Sequence, residues 1–492
     1  MNTWVVVTLF LFLIIILLVG LYMSKFTKKP ADFLQEYFLG SRQLGGFILA
    51  MSMVATYGSA SSFLSGPGTA YNVGLGWVLL ASIQVVTGYF TLMVLGKKFA
   101  IVARKMKAVT MIDFLKTRYH NKWVAIFAAV SIVIFLFASM AAQWVGGGRL
   151  IQSITGLPYI SALFIFTLAA LIFVVVGGFR ALAMTDMIQG TIMFAGTLIL
   201  LIGTIIAGGG IPHIIHQMRA ADPGLITPYG PHHQLSSAYV SSFWILVGVG
   251  VIGLPQITIR AMSYKNSKSL HRAIIIGTIV VGVIMLGMHL TGAFARAVIP
   301  GVKVGDEVMP LLAMKVLPPW LAGIVLAAPM AAIISTVDAL LLLVSSSIIK
   351  DIILNYIKPN MQQPTVRRWS HWVTAIIGVI VFIMAIHPPN LLIWLNLFAF
   401  GGLESAFIWP ILFGLYWRKG NAYGALASMI TGVVLYVVIQ SFMEWGWISE
   451  PLGVNPVVLP VVFSFIVFVS VSIMTDRKID KEQLLRQNRW LS

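Results

Sequence analysis

A run of about twenty apolar residues is long enough to cross a bilayer as a helix, and this chain carries thirteen of them. They lie near 4–23, 45–69, 76–96, 123–148, 159–177, 184–208, 239–260, 273–298, 318–349, 372–387, 391–416, 422–443 and 457–475. Only 10% of the residues are charged, where a soluble domain carries about a quarter. The fold class expected is an all-α polytopic membrane protein with about 13 transmembrane helices. The ninth run is long enough to hold a bend or an extension beyond the bilayer.

The net charge of +18 raises the question of nucleic acid, and its distribution answers it. If the N-terminus lies outside, 28 of the 33 Lys and Arg residues fall on the cytoplasmic side. Only Arg149, Arg219, Arg296, Lys303 and Lys315 face outward. That asymmetry is the positive-inside rule in short loops. It predicts an N-out, C-in membrane protein, whose surroundings are lipid and not nucleic acid. No obligate protein partner is implied. The run from Val5 to Leu21 lacks a basic leader and a small-residue cleavage site, and reads as a retained helix. The stretches between the apolar runs, the longest being 97–122, 209–238 and 350–371, are too short for a soluble catalytic domain, so no enzyme is expected. There are no cysteines, which excludes disulfides and thiolate metal sites.

Two of the apolar runs are broken at mid-depth. The second contains Ala55-Thr56-Tyr57-Gly58-Ser59-Ala60-Ser61-Ser62. An open backbone survives at that depth only where protein or trapped water receives its polar groups, so this stretch reads as a helix opened around a solute or an ion. The seventh run carries Gly248, Gly250 and Gly253 followed by Pro255, residues that weaken a helix and remove an amide donor. Close packing through small residues is the bland alternative for any one of these glycines. The two breaks lie five runs apart, as an inverted five-plus-five repeat would place them. The ninth run holds Ala332-Ile333-Ile334-Ser335-Thr336-Val337-Asp338. A carbonyl and two hydroxyls from here, with carbonyls from an opened partner, make about five neutral oxygens, a shell that suits a hard monovalent cation. Hydroxyls bonding back to their own helix are the bland alternative.

Ionisable groups inside a membrane are functional candidates, here Asp186, Asp338 and Glu404. Each has an alternative as a structural partner, and Asp186 also as a helix-dipole partner. His289 is the one histidine deep in a run, and packing or a hydrogen bond is its first reading. No Walker motif, dinucleotide loop, catalytic triad or zinc-protease pattern is present. Transport must then run downhill or on an ion gradient, and the oxygen cluster favours the latter.

Gly177-Gly178-Phe179-Arg180-Ala181, Thr185-Asp186-Met187-Ile188-Gln189 and Ala332-Ile333-Ile334-Ser335-Thr336 carry a family resemblance. The chain resembles the sodium/solute symporters over nearly its whole length. Glu36-Tyr37-Phe38-Leu39-Gly40, Ile393-Trp394-Leu395-Asn396 and Gly401-Gly402-Leu403-Glu404 bring it closest to the pantothenate-carrying branch.

The resemblance implies a leucine-transporter-type core of two inverted five-helix repeats with extra terminal helices. The expected divisions are 1–44, a first additional helix and loop; 45–208 and 239–416, the two repeats; 417–475, two further helices; and 476–492, a cytoplasmic tail. Na+ is the implied coupling ion, held by the carbonyls of Ala55, Gly58 and Ala332 and the hydroxyls of Ser335 and Thr336. Asp186 matches an acidic residue linked to sodium affinity or release. Asp338 departs from the small or amide residue expected there, and is open as a second cation site or a proton site. The solute implied is pantothenate or a similar small carboxylate. It is expected to contact Thr56, Tyr57, Ser59, Ser62 and Gln84. Symport of proline, a sugar or a short carboxylate is the nearest alternative function, and a solute-sensing membrane module a more remote one.

Overall fold

The computed structural model describes residues 3–25, 42–389 and 391–476. Eighteen α-helices follow one another: α1 (Thr3–Lys25), α2 (Gly46–Tyr57), α3 (Gly66–Val73), α4 (Leu75–Ser82), α5 (Thr87–Lys105) and α6 (Met111–Tyr119). Next come α7 (Lys122–Thr155), α8 (Tyr159–Ala207), α9 (Ile211–Ala221), α10 (Ser237–Phe243), α11 (Pro255–Met262) and α12 (Ser267–Val298). The last are α13 (Val308–Val316), α14 (Pro319–Ser346), α15 (Gln363–Met384), α16 (Ile393–Tyr416), α17 (Ala422–Glu444) and α18 (Val458–Thr475). Among the described residues, nine helical segments are long and apolar enough to cross a membrane, and two bent pairs bring the number to eleven. Two shorter apolar stretches, Thr3–Ile16 and Tyr159–Ile172, would complete the expected thirteen only if they also cross.

The bent pairs are the two breaks expected from the sequence. Residues Gly46–Tyr57 and Ser61–Val73 meet at 70°, and Ser237–Gly253 and Pro255–Met262 at 49°. Gly58 leaves the helix with φ −65° and ψ 129°. In the second pair Leu254 turns extended, as the residue before a proline must when its amide-side neighbours crowd the ring. Both breaks are flanked by widened π-type turns, at Ser61–Ser65 and Trp244–Val249, which often mark functional sites within helices.

α8 is helical along its length, yet both its ends lie at one end of the bundle. The Tyr159 hydroxyl donates to the Ala385 carbonyl beyond α15 (2.8 Å), and Gly203 packs against Leu317 just before α14. Thr185–Ala207 is long and apolar enough to cross a membrane, and Tyr159–Ile172 is a shorter apolar stretch.

α14 forms the centre of the bundle, with every residue from Val325 to Ser346 buried. It packs on α8, α7, α2 and α1. The basic end is fastened by polar contacts. Arg118 donates to the carbonyls of Gly414, Trp417 and Gly420 at the end of α16. Thr110 and Asp113 form a capping box on α6, and Lys350 pairs with Asp113 at 2.7 Å. A backbone bridge joins Leu44 to Tyr264, so the start of α2 is tied to the end of α11. Arg104 donates to the Tyr264 carbonyl at the same corner.

Two residues counted as loop charges are not in loops. Arg118 and Arg260 are among the largest fully buried side chains. Each is a packed structural group because carbonyls or a carboxylate meet its guanidinium. Setting both aside leaves the charge asymmetry intact.

Candidate functional site

At the first break, helix α2 ends and its last carbonyls lose their next-turn donors. The amides of Ser62 and Phe63 bond instead to the Ser59 carbonyl. α14 runs alongside and supplies hydroxyls. Ser335 Oγ lies 2.7 Å from the Ala55 carbonyl oxygen and 3.1 Å from that of Ala332. Thr336 Oγ1 lies 2.8 Å from the carbonyl oxygens of both Gly58 and Ala332. Five neutral oxygens thus converge from the residues expected to do so. Two hydroxyl hydrogens face three carbonyls, each with two lone pairs, so the cluster has acceptor capacity to spare. That surplus fits a hard monovalent cation better than a transition metal.

Asp186 stands at the basic-end side of this cluster. Its Oδ2 accepts from Ser52 Oγ (2.7 Å) and from Arg260 Nη2 (3.3 Å). Arg260 Nε in turn donates to the Ser52 carbonyl at 3.1 Å. One buried network therefore joins α2, α8 and α11, that is, both broken helices. Asp338, three residues beyond Ser335, is buried and within electrostatic reach of Asp186. Its Oδ1 and the Asp186 Oδ1 have no hydrogen-bond partner among the described residues. Glu404 occupies the corresponding place at the second break. A Cβ on Gly250 would collide with its carboxylate, so glycine is what lets α16 approach there. His289 bonds back to the Met285 carbonyl at 2.7 Å, as its bland reading required.

The expected solute contacts are only partly gathered. Thr56 bonds back to the Ser52 carbonyl at 2.8 Å. Ser59 and Ser62 are buried at the break. Tyr57 borders an apolar cavity of about 20 Å³, with Met53, Thr91 and Val251 among its walls. Gln84 lies in the turn Ile83–Val86, which packs against Trp244–Val249 before the second break. Two amides missed from the sequence do reach the first break region. Gln143 Oε1 accepts from the Ala60 amide at 2.9 Å, and Ser139 donates to Asn396 Oδ1 at 2.7 Å. The signal for Gln143 was a lone amide in an otherwise apolar run. Trp77 adds an aromatic wall, edge-on to Phe243 and Trp394.

Away from the basic end, the break is covered. Gly68 sits against the backbone of Gly305, where a side chain would not fit. Beside it, Asp306 Oδ2 accepts from the Leu392 amide at 3.3 Å and lies 3.6 Å from Arg149 Nε. Burial pushes the Asp306 carboxyl up to about 6, against the opposing pull of a Ser65 hydrogen bond and the Arg149 charge.

The sequence pattern of the sodium:solute symporter family matches residues 37–432. The chain belongs to the sodium:solute symporter family. A sodium/pantothenate symporter of Haemophilus influenzae is 46% identical to it over 98% of this chain and 99% of that protein. The sodium/pantothenate symporter of Escherichia coli is also 46% identical, over 95% and 96%. An osmoregulated proline transporter of Bacillus subtilis is 30% identical over 97% and 96%. A solved Na+-coupled sialic acid symporter, in a substrate-bound outward-open state, superposes with a TM-score of 0.79. That alignment covers 97% of this chain and 98% of that one at 21% identity, and it establishes a shared fold. The family and these relatives are transporters, Na+ is the coupling ion of the family, and the leucine-transporter-type fold class is thereby established for this polytopic chain.

Proposed function

We propose that this sodium:solute symporter imports pantothenate, coupled to sodium, by alternating access in the bacterial cytoplasmic membrane. The observation that carries sodium symport is the meeting of Ala55, Gly58, Ala332, Ser335 and Thr336 oxygens between a broken helix and α14. The solute assignment is supported by relatives of that activity matched at 46% over nearly the full chain. Sodium bound at these oxygens bridges α2 to α14 and fixes the geometry of the break. Solute then binds beside the break, at Ser59, Ser62, Tyr57 and the amides of Gln143 and Asn396. Closure on the outer side and opening on the basic side release both where sodium is scarce. Asp186 and Asp338 sit between the sodium oxygens and the basic end, where they set sodium release and offer a second cation or a proton a place. Residues 45–208 and 239–416 are the two repeats in this reading, and the chain performs no covalent chemistry.

One Na+ moving inward gains about 2.3 kcal/mol per 100 mV. A monovalent anion carried with it cancels that gain, so one-to-one coupling runs on the chemical gradients alone. In proteoliposomes, labelled pantothenate is expected to accumulate on an inward sodium gradient and not on a potassium gradient. Excess unlabelled proline, sugars or short carboxylates are expected to leave that uptake unchanged. Inhibition by proline stronger than by pantothenate would overturn the solute.

The proposed orientation places the N-terminus outside and the basic end in the cytoplasm. The chain has no cysteine, which makes single-cysteine labelling clean. A membrane-impermeant thiol reagent on intact cells should label Lys303→Cys and spare Lys268→Cys. The reverse pattern would invert the topology.

A further inference from the structure

Along α7, Gln143, Gly146 and Arg149 follow at three-residue spacing, each about 60° around the helix from the last. Gln143 holds the Ala60 amide. Gly146 packs against the Ala60 side chain, where a Cβ would collide. Arg149 is the next rung, roughly 4.5 Å further along the axis than Gly146, on the side away from the basic end. Its guanidinium lies 3.6 Å from Asp306, whose neighbour Gly305 packs on Gly68 beyond the break, so it stands at the outer edge of the first break with its side chain only 11% exposed.

Its present partners leave it incompletely satisfied. Nη2 donates to the Pro389 carbonyl at 2.9 Å. Nε faces Asp306 Oδ2 at 3.6 Å, too far for a hydrogen bond. Arg149 Nε and Asp306 Oδ1 both lack a hydrogen-bond partner among the described residues. A guanidinium and a carboxylate that choose each other freely form two parallel bonds; this pair has charge proximity without that fit. Other buried arginines are committed elsewhere. Arg118 caps the end of α16 and Arg260 is bonded to Asp186 and Ser52.

A carboxylate taken out of water needs a cation or several donors. The five oxygens of the sodium cluster are neutral and already form the ion's shell, so the anionic end of a solute needs a separate counter-charge. We propose that Arg149 is the binding group for the carboxylate of the transported solute, and that Asp306 takes over the same guanidinium when the outer side is closed. This inference rests on the proposed function. The exchange keeps the guanidinium neutralised in both states, which avoids the cost of an isolated buried charge. Asp306 also accepts from the Leu392 amide at the start of α16. Its turn packs on α3 through Gly305 and Gly68. Return of Asp306 to Arg149 thus closes α3, α7 and α16 over the break together.

The test compares pantothenate with its alcohol analogue, in which a CH2OH group replaces the carboxylate, as unlabelled competitors of sodium-driven uptake of labelled pantothenate. In the wild type, pantothenate is expected to compete at concentrations at least about tenfold lower than the alcohol. In Arg149→Gln the ratio should fall toward one, with the half-inhibiting concentration of the alcohol changed less than threefold or so. Arg149→Lys should keep part of the preference. Sodium-dependent binding of the same two compounds to purified protein gives the same ratio where uptake is too slow. An unchanged ratio in Arg149→Gln, or equal loss of both compounds, would overturn the inference and leave the proposed function standing. Failure of the wild type to take up pantothenate would instead remove the proposed function, and this inference with it.

Discussion

Ser335→Ala is expected to raise the sodium concentration needed for half-maximal uptake by about ten- to a hundredfold, the equivalent of losing one charge-assisted contact. Ser335 Oγ is one of the five converging oxygens and also the group that meets the Ala55 carbonyl at 2.7 Å. Its removal takes a ligand from the ion and leaves a carbonyl at the break with one donor fewer. The buried carbonyl costs roughly 1–3 kcal/mol if nothing replaces the donor, so the variant should fold with a modest loss of thermal stability. Thr336→Ala should act similarly through Gly58. Uptake measured against sodium concentration, at saturating solute, separates the effect from lower expression. Unchanged sodium dependence in Ser335→Ala would exclude its hydroxyl from the ion site. Robust accumulation without sodium in the wild type would remove the ion assignment altogether.

The second large effect is expected at Arg260. Arg260→Met removes the cation from a fully buried carboxylate and leaves Asp186 near Asp338 with Ser52 as its one donor among the described residues. Breaking one side of a buried ion pair costs about 3–5 kcal/mol. The melting temperature of the purified protein should fall accordingly, and uptake with it. Adding Asp186→Asn to Arg260→Met removes the orphaned charge while keeping a hydrogen-bond partner for Ser52. The double variant should recover most of the lost stability. Losses that simply add in the double variant would show that the two side chains act independently, contrary to the network described.

The breaks and the hydroxyl pair that meets the first of them were legible because their signals are local. Ala55 to Ser62 interrupts its own apolar run, and Leu254-Pro255 carries a backbone rule that needs no partner. Ser335 and Thr336 sit on a helix whose period fixes their place relative to Ala332. The partners across the bundle were not legible. Arg260 is 74 residues from Asp186 in sequence, and by composition it resembles any other basic residue near the end of an apolar run. Gln143 and Asn396 are single amides in apolar helices, and nothing local says which face meets the break.

The bridge between Leu44 and Tyr264 has a mechanical consequence. The Leu44 amide donates to the Ser263 carbonyl at 3.2 Å and its carbonyl accepts from the Lys265 amide at 3.0 Å. The two bent helices thus share a corner, and the Arg260 network adds a strut between them a few residues further in. Neither lower arm can swing without dragging the other. The bundle has lost an independent degree of freedom at its basic end. In the proposed mechanism, a cation gripping the first arm is therefore felt as torque on the second, and the pair tilts as one yoke.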